Sequence, residues 1–144
     1  MKEGVTIFYT DDDQEDIAFF KEIVSLINSD LSVVTQCNGK ELLHALDNPP
    51  PSPYVVYLDL NMPGLNGFDV LKKMKESDNY KNIPVVIFST SSDERTIQKS
   101  WDMGASYYLP KTGLFDQLKK SIEHTLKINW NSFIADRANF VYNY

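Results

Sequence analysis

Short runs of apolar, β-prone residues alternate five times with longer stretches of helical period, and few folds accept that pattern. Val5-Thr6-Ile7-Phe8-Tyr9-Thr10 is the first strand candidate, with apolar side chains on both faces. Ile17-Ala18-Phe19-Phe20, Ile23-Val24 and Leu26-Ile27 follow at the spacing of an amphipathic helix. Residues 31–36 read as a second strand. Asn38-Gly39-Lys40-Glu41 then has the pattern of a capping box, with Asn38 as the cap, opening a short helix over 40–46. A proline-rich loop over 48–53 separates this helix from a third strand, Tyr54-Val55-Val56-Tyr57-Leu58, because neither a helix nor a central strand holds so many prolines. A helix over 68–75 precedes strand four, Val85-Val86-Ile87-Phe88. Ser91-Ser92-Asp93-Glu94 opens a fourth helix that Gly104 closes. Ser106-Tyr107-Tyr108-Leu109 is strand five, and residues 114–128 the fifth helix.

Strands apolar on both faces and joined by helices make a parallel sheet covered on both sides. Right-handed crossovers leave few topologies. The predicted fold is therefore α/β, a flavodoxin-like doubly wound (βα)5 with a five-stranded parallel sheet in the order 2-1-3-4-5. In that order strands one and three are neighbours, the winding reverses between them, and ligands sit at the C-terminal strand ends beside such a switch point. The 144 residues suit one domain and not two. The expected organisation is a domain over 1–128 and a helical or packed extension over 129–144, too short for an output module. Trp130, Phe133, Ile134 and Val141 lie near helical spacing, so the last helix is expected to continue. Its apolar face would pack on the domain itself or dock to a partner or second copy.

Composition removes several classes of function. Lys and Arg total 14 against 20 Asp and Glu, a formal charge of −6, with no cationic cluster for a nucleic-acid backbone. Cys37 is the sole cysteine, so no disulfide forms within the chain, and no cysteine–histidine spacing points to zinc. His44 and His124 sit at unrelated helical positions. No apolar run approaches the roughly 20 residues that span a bilayer, and the first residues lack the pattern of a secretion signal. The expectation is a cytoplasmic protein that binds neither nucleic acid nor membrane.

The chemistry gathers at the strand ends. Strand one ends in Asp11-Asp12-Asp13, strand three in Asp59, strand four in Ser89, and strand five in Lys111. Acids crowded in a partly desolvated cleft either protonate or recruit a cation. Mg²⁺ characteristically takes one or two carboxylates plus phosphate oxygens and waters. A carboxylate beside such an ion is a competent nucleophile towards phosphorus, while an amine and a hydroxyl can hold the phosphoryl oxygens.

Tyr57-Leu58-Asp59-Leu60-Asn61-Met62-Pro63-Gly64, with Gly67 beyond it, resembles the phosphorylation-site motif of response-regulator receiver domains. The acid run after strand one, Ser89 and Lys111 recur in that family in the same order, and the resemblance covers residues 4–127. It implies that Asp59 is the phosphoacceptor and that Mg²⁺ is held by Asp12 directly, Asp11 through water, Asp59, and the main-chain carbonyl of Asn61. It implies further that Ser89 and Lys111 contact the phosphoryl group and that Tyr108 is the aromatic switch residue. The implied function is a single-domain phosphoacceptor of a two-component phosphorelay. Its phosphoryl group comes from a sensor histidine kinase or histidine phosphotransfer protein. A downstream protein partner would then read helix four, strand five and helix five, a homodimer being possible. Beyond its own phosphorylation and dephosphorylation no enzymatic activity is expected.

One departure stands out. Thr112 follows Lys111 where the family usually has a proline after a cis bond, and a cis bond before any other residue costs about 2.5–4 kcal/mol. Either the loop carries that strain or it takes a trans path.

Plainer readings accompany each residue. Asp13 is expected to cap the first helix, Asn66 the third, and Ser91 or Ser92 the fourth. The Asn61–Gly67 stretch is also a turn sequence, and Tyr108 serves equally as packing. Two rival chemistries fit less well. A haloacid-dehalogenase-type phosphatase needs an acid two residues after its nucleophile, where this chain has Asn61. A flavin-binding flavodoxin needs a hydroxyl- and glycine-rich loop after strand one, where this chain has three aspartates.

Overall fold

In the computed structural model, which describes residues 6–47, 53–62, 64–130, 132–133 and 136–144, the five β–α units form as predicted. The strands are β1 (Thr6–Thr10), β2 (Ser32–Gln36), β3 (Pro53–Leu58), β4 (Val85–Ser89) and β5 (Tyr107–Pro110). The helices are α1 (Gln14–Ile27), α2 (Gly39–Asp47), α3 (Gly67–Glu76), α4 (Glu94–Asp102) and α5 (Phe115–Lys127). All strand pairs are parallel, and the order is β2-β1-β3-β4-β5, the flavodoxin-like order expected. Val5, residues 48–52 of the proline-rich loop, Pro63 and Ile134 lie outside the described residues.

Alternation along each strand explains why these runs are apolar throughout. Ile7, Tyr9, Val55, Tyr57, Val86 and Phe88 face α1 and α5, where they bury Ile17, Phe20, Ile23, Ile122 and Leu126. Phe8, Val56, Leu58, Val85 and Ile87 face the other way, onto Leu42, Val70, Leu71, Met74 and Ile97 of α2, α3 and α4. A side-chain period of two thus fills two cores from one sheet. The deeply placed Tyr57 hydroxyl is satisfied by Thr125 Oγ1 at 2.5 Å.

The helix ends follow local chemistry. Asp13 Oδ1 accepts from the N–H groups of Glu15 and Asp16, and Asn66 forms a reciprocal capping box with Asp69. At α2 the arrangement is displaced by one residue from the expected box. Asn38 Oδ1 accepts from Glu41 N–H at 2.9 Å, but Glu41 returns its carboxylate to Cys37 N–H. The cap of α4 is Asp93, neither Ser91 nor Ser92. Its carboxylate receives Arg95 N–H at 2.9 Å, a stronger acceptor for an orphan helix donor than a hydroxyl. Pro53, read as loop, is the first residue of β3, a strand position a proline tolerates.

The chain leaves α5 at Ile128 in an extended conformation, so among the described residues the helix does not continue. Trp130 and Phe133 fold back onto Tyr107. Val141 forms a parallel bridge with Tyr108 at the free edge of β5. No helix among the described residues is long and apolar enough to cross a membrane.

Candidate phosphoacceptor site

The sheet places the strand-end residues together by main-chain bonds alone. Asp11 N–H donates to Gln36 O at 3.1 Å and Asp59 N–H to Thr10 O at 3.0 Å, aligning the ends of β2, β1 and β3. Lys111 N–H donates to Ser89 O at 2.7 Å, joining β5 to β4. Asp11, Asp12 and Asp59 each offer a carboxylate oxygen within 4.8 Å of the others, two of the residues buried and Asp12 exposed. Three hard oxygen donors with one open side fit a small divalent cation.

Among the described residues, the partly buried Lys111 is the cation set among them. Its ammonium donates to Asp11 Oδ2 at 2.7 Å and Asp16 Oδ2 at 2.9 Å, and lies 3.8 Å from Asp59 Oδ1. It also sits over the Phe88 ring, 5.2 Å from the centroid. The Lys111–Thr112 bond is trans, since no described peptide bond is cis, and the side chain still reaches all three acids.

The two buried acids differ in character. Burial raises the Asp11 pKa, but Lys111, the Tyr9 hydroxyl at 2.5 Å and Asp13 N–H outweigh it and hold the carboxyl below its ordinary range. Asp59 has fewer compensations. Burial and the neighbouring Asp11 charge, opposed by Lys111 and the Asn61 N–H, push it from 3.8 to about 7. Lys111 is pushed up, because its three carboxylates outweigh its burial.

A stability prediction follows for the metal-free protein. Between 3.8 and about 7 the folded chain holds the Asp59 proton more tightly than the unfolded chain does. Stability therefore falls as pH rises through that window, by roughly 2–4 kcal/mol at about 1.4 kcal/mol per pKa unit. The depressed Asp11 has the opposite sign and acts only nearer pH 4 and below. Urea melts in EDTA at pH 5 and pH 8 measure the difference, and Asp59→Asn is expected to flatten it.

Close packing fixes the loop after β3. Gly67 N–H donates to Leu60 O at 3.0 Å, and a Cβ on Gly67 would lie 2.5 Å from Asp59 O. Only glycine lets the start of α3 come this near the acceptor strand. The loop leaves Asn61 exposed, its N–H bonded to the Asp59 carboxylate. A cleft of about 620 Å³, lined by Asn61, Met62, Phe68, Ser89, Ser91 and Thr96, opens between the β3 and β4 ends.

Ser89 is fully buried at the end of β4, and its hydroxyl accepts from Ser91 N–H at 3.2 Å. Tyr108 is buried with its ring turned inwards. Its hydroxyl donates to Ser91 O at 2.7 Å, beside Ser89. Six of the seven residues singled out from sequence, Asp11, Asp12, Asp59, Asn61, Ser89 and Lys111, thus fall on the C-terminal rim of the sheet or the loops leaving it, while Tyr108 lies within β5 beside Ile87 of β4. Two contributors escaped the sequence reading. Asp16 was legible only as a first-turn helix acid, yet it anchors Lys111. Tyr9 was legible only as a strand aromatic, yet its hydroxyl holds Asp11.

A doubly wound sheet with an acid cluster and a partly buried lysine at its switch point defines a phosphoacceptor module. The family model of the response regulator receiver domain matches residues 7–123, and the chain belongs to that family. It is a receiver domain with a phosphoacceptor role in two-component signalling. It is similar to the two-component response regulator ARR17 of Arabidopsis thaliana, 30% identical over 136 residues and 88% of each chain. Against the probable methanogenesis regulatory protein FilR2 of Methanothrix harundinacea it is 32% identical over 81 residues, 55% of this chain; the match spans about half (52%) of that relative. Among solved structures it is similar to the phosphorylated cyanobacterial phytochrome response regulator RcpA, with TM-score 0.76 and 30% identity, covering 90% of this chain and 96% of that one.

Proposed function

We propose that Asp59 is the phosphoacceptor and takes its phosphoryl group from a phosphohistidine on a sensor histidine kinase or histidine phosphotransfer protein. The observation that carries this reading is the meeting of Asp11, Asp12 and Asp59 at neighbouring strand ends, with the Lys111 ammonium 3.8 Å from Asp59. Asp12, Asp59 and the main-chain carbonyl of Asn61 would hold Mg²⁺ directly and Asp11 through water. When bound, the ion supplies neutralising charge for the acids and the transferring phosphoryl oxygens.

The chain's own residues do the rest. The Asp59 carboxylate forms a P–O bond as the P–N bond of phosphohistidine breaks; the electron pair leaves on the imidazole nitrogen, which takes a proton from solvent. Lys111 gives up Asp16, the most exposed of its partners, and turns towards the new phosphoryl oxygens. The Ser89 hydroxyl moves to a second of those oxygens. Tyr108, beside Ser89 and bonded to Ser91 O, transmits that movement to the surface of α4, β5 and α5, where a downstream protein partner reads it. RcpA, crystallised phosphorylated, is a structural neighbour consistent with this role.

The donor has a natural approach. A cavity of about 280 Å³ lies beside Lys111, walled by Phe19, Phe20, Phe88, Phe115, Leu118 and Ile122, and Phe19 and Phe115 are partly exposed. A helix presenting phosphohistidine would cover this apolar wall while its phosphoryl group meets Asp59. The test is phosphorylation of the whole chain by acetyl phosphate, followed by intact mass. The expected result is one phosphoryl group per chain, acid-stable and lost in base, and no uptake in EDTA. Uptake indifferent to EDTA would refute the metal-assisted reading.

A further inference from the structure

The outer edge of β5 has no neighbouring strand in the order β2-β1-β3-β4-β5, and a bare edge invites pairing. Here the chain's own tail takes it. Tyr108 N–H donates to Phe140 O at 2.9 Å, and Tyr142 N–H donates to Tyr108 O at 3.0 Å, with Val141 opposite Tyr108. Phe140 is wholly buried, edge-on to Trp101 of α4 at 5.3 Å and tilted against Tyr108 at 6.3 Å. The tail is tied at both sides. Arg137 donates to Gln98 Oε1 at 3.0 Å and pairs with Glu94, both on α4. Tyr142 packs on His124 of α5 at 5.3 Å, and the Tyr144 hydroxyl donates to Pro110 O at 2.5 Å.

We propose that the α4–β5–α5 groove is a peptide-binding site of the strand-addition kind and that residues 136–144 occupy it as a built-in, displaceable ligand. Main-chain bonds to Tyr108 provide general affinity, while the Phe140 pocket and the Glu94–Gln98 pair provide selection. The external partner that fits is an extended segment with arginine followed three residues later by an aromatic, and it binds only when the tail yields. One bridge and one buried ring anchor the tail and its remaining ties lie at the surface, so as a terminal segment on a sheet edge it can exchange without global unfolding. The groove is the face assigned above to the downstream partner, so its signalling meaning rests on that reading. Its occupancy does not.

The test uses the full chain without phosphorylation, so a failure of the Asp59 assignment leaves it untouched. A fluorescent peptide of residues 136–144 is titrated into wild type and into Phe140→Ala. Phe140→Ala, whose own tail is weakened, is expected to bind the peptide at least tenfold more tightly than wild type, and the same peptide with alanine at its phenylalanine is expected not to bind. Equal binding to the two chains, or none to either, overturns the proposal. Hydrogen exchange guards against misfolding. In Phe140→Ala and in Tyr142→Pro, which removes the N–H given to Tyr108 together with the ring on His124, the Tyr108 amide is expected to lose at least tenfold protection while the β4 amides keep theirs. Loss spread through β4 in both variants would make the tail part of the core and would equally overturn it.

Discussion

Asp59→Asn is expected to abolish phosphoryl uptake from acetyl phosphate in Mg²⁺, slowing it at least 1000-fold, or about 4 kcal/mol of barrier. An amide keeps the volume and the Asn61 N–H contact but has no anionic oxygen to attack phosphorus. The neighbouring acids are poor substitutes. Asp11 spends its oxygens on Lys111, Tyr9 and Asp13, while Asp12 is the exposed member of the cluster. The variant should fold, because removing one of three crowded carboxylates relieves repulsion, and its urea midpoint at pH 8 should exceed that of wild type. Intact mass after incubation gives the answer directly. Uptake at the wild-type rate would move the acceptor elsewhere, with Asp12 the first residue to replace.

Lys111→Met is expected to cost about 3 kcal/mol of stability at pH 8 in EDTA and much less at pH 5. Methionine keeps an apolar stem against Phe88 but leaves Asp11 and Asp59 buried with no cation beside them. Removing one partner of a buried pair strands the other's charge, which is more costly than the pair was favourable. At pH 5 the stranded carboxylates take up protons and the penalty shrinks. Mg²⁺ at pH 8 should restore part of the loss, since it binds the folded cluster and not the unfolded chain. Urea titrations in a two-by-two design of pH and metal measure all of this. A loss that ignores both variables would mean that Lys111 acts there only as packing.

The sheet was legible because period and burial agree. Residues such as Ile7, Phe8 and Tyr9 are apolar in succession only because each face of β1 has its own helices. The strand-end acids were legible because the topology dictates which ends adjoin. What stayed hidden were contacts across elements. Asp16 sits three residues past a helix cap, where acids are common for local reasons, and nothing in a one-dimensional pattern says that Lys111 reaches it from β5. The tail misled for a similar reason. Trp130, Phe133 and Val141 have helix-like spacing, yet the first two are apolar because of the Tyr107 ring beneath them and Val141 because of the edge of β5, so an extended path satisfies them as well as a helix would. Asp93 over the two serines at α4 is a smaller lesson of the same kind, as three adjacent candidates differ only in which one geometry places at the first turn.

Asp11 and Lys111 stand 100 positions apart in the chain. Asp11, Asp12 and Asp59 all precede their counter-charge along the chain, so a fragment that stops short of Lys111 holds the acids without the ammonium. A nick or local melting that frees β5 would leave three carboxylates facing one another without their ammonium. The mutual repulsion of those acids, otherwise held in check by Lys111, would then work against the closure of the strand ends.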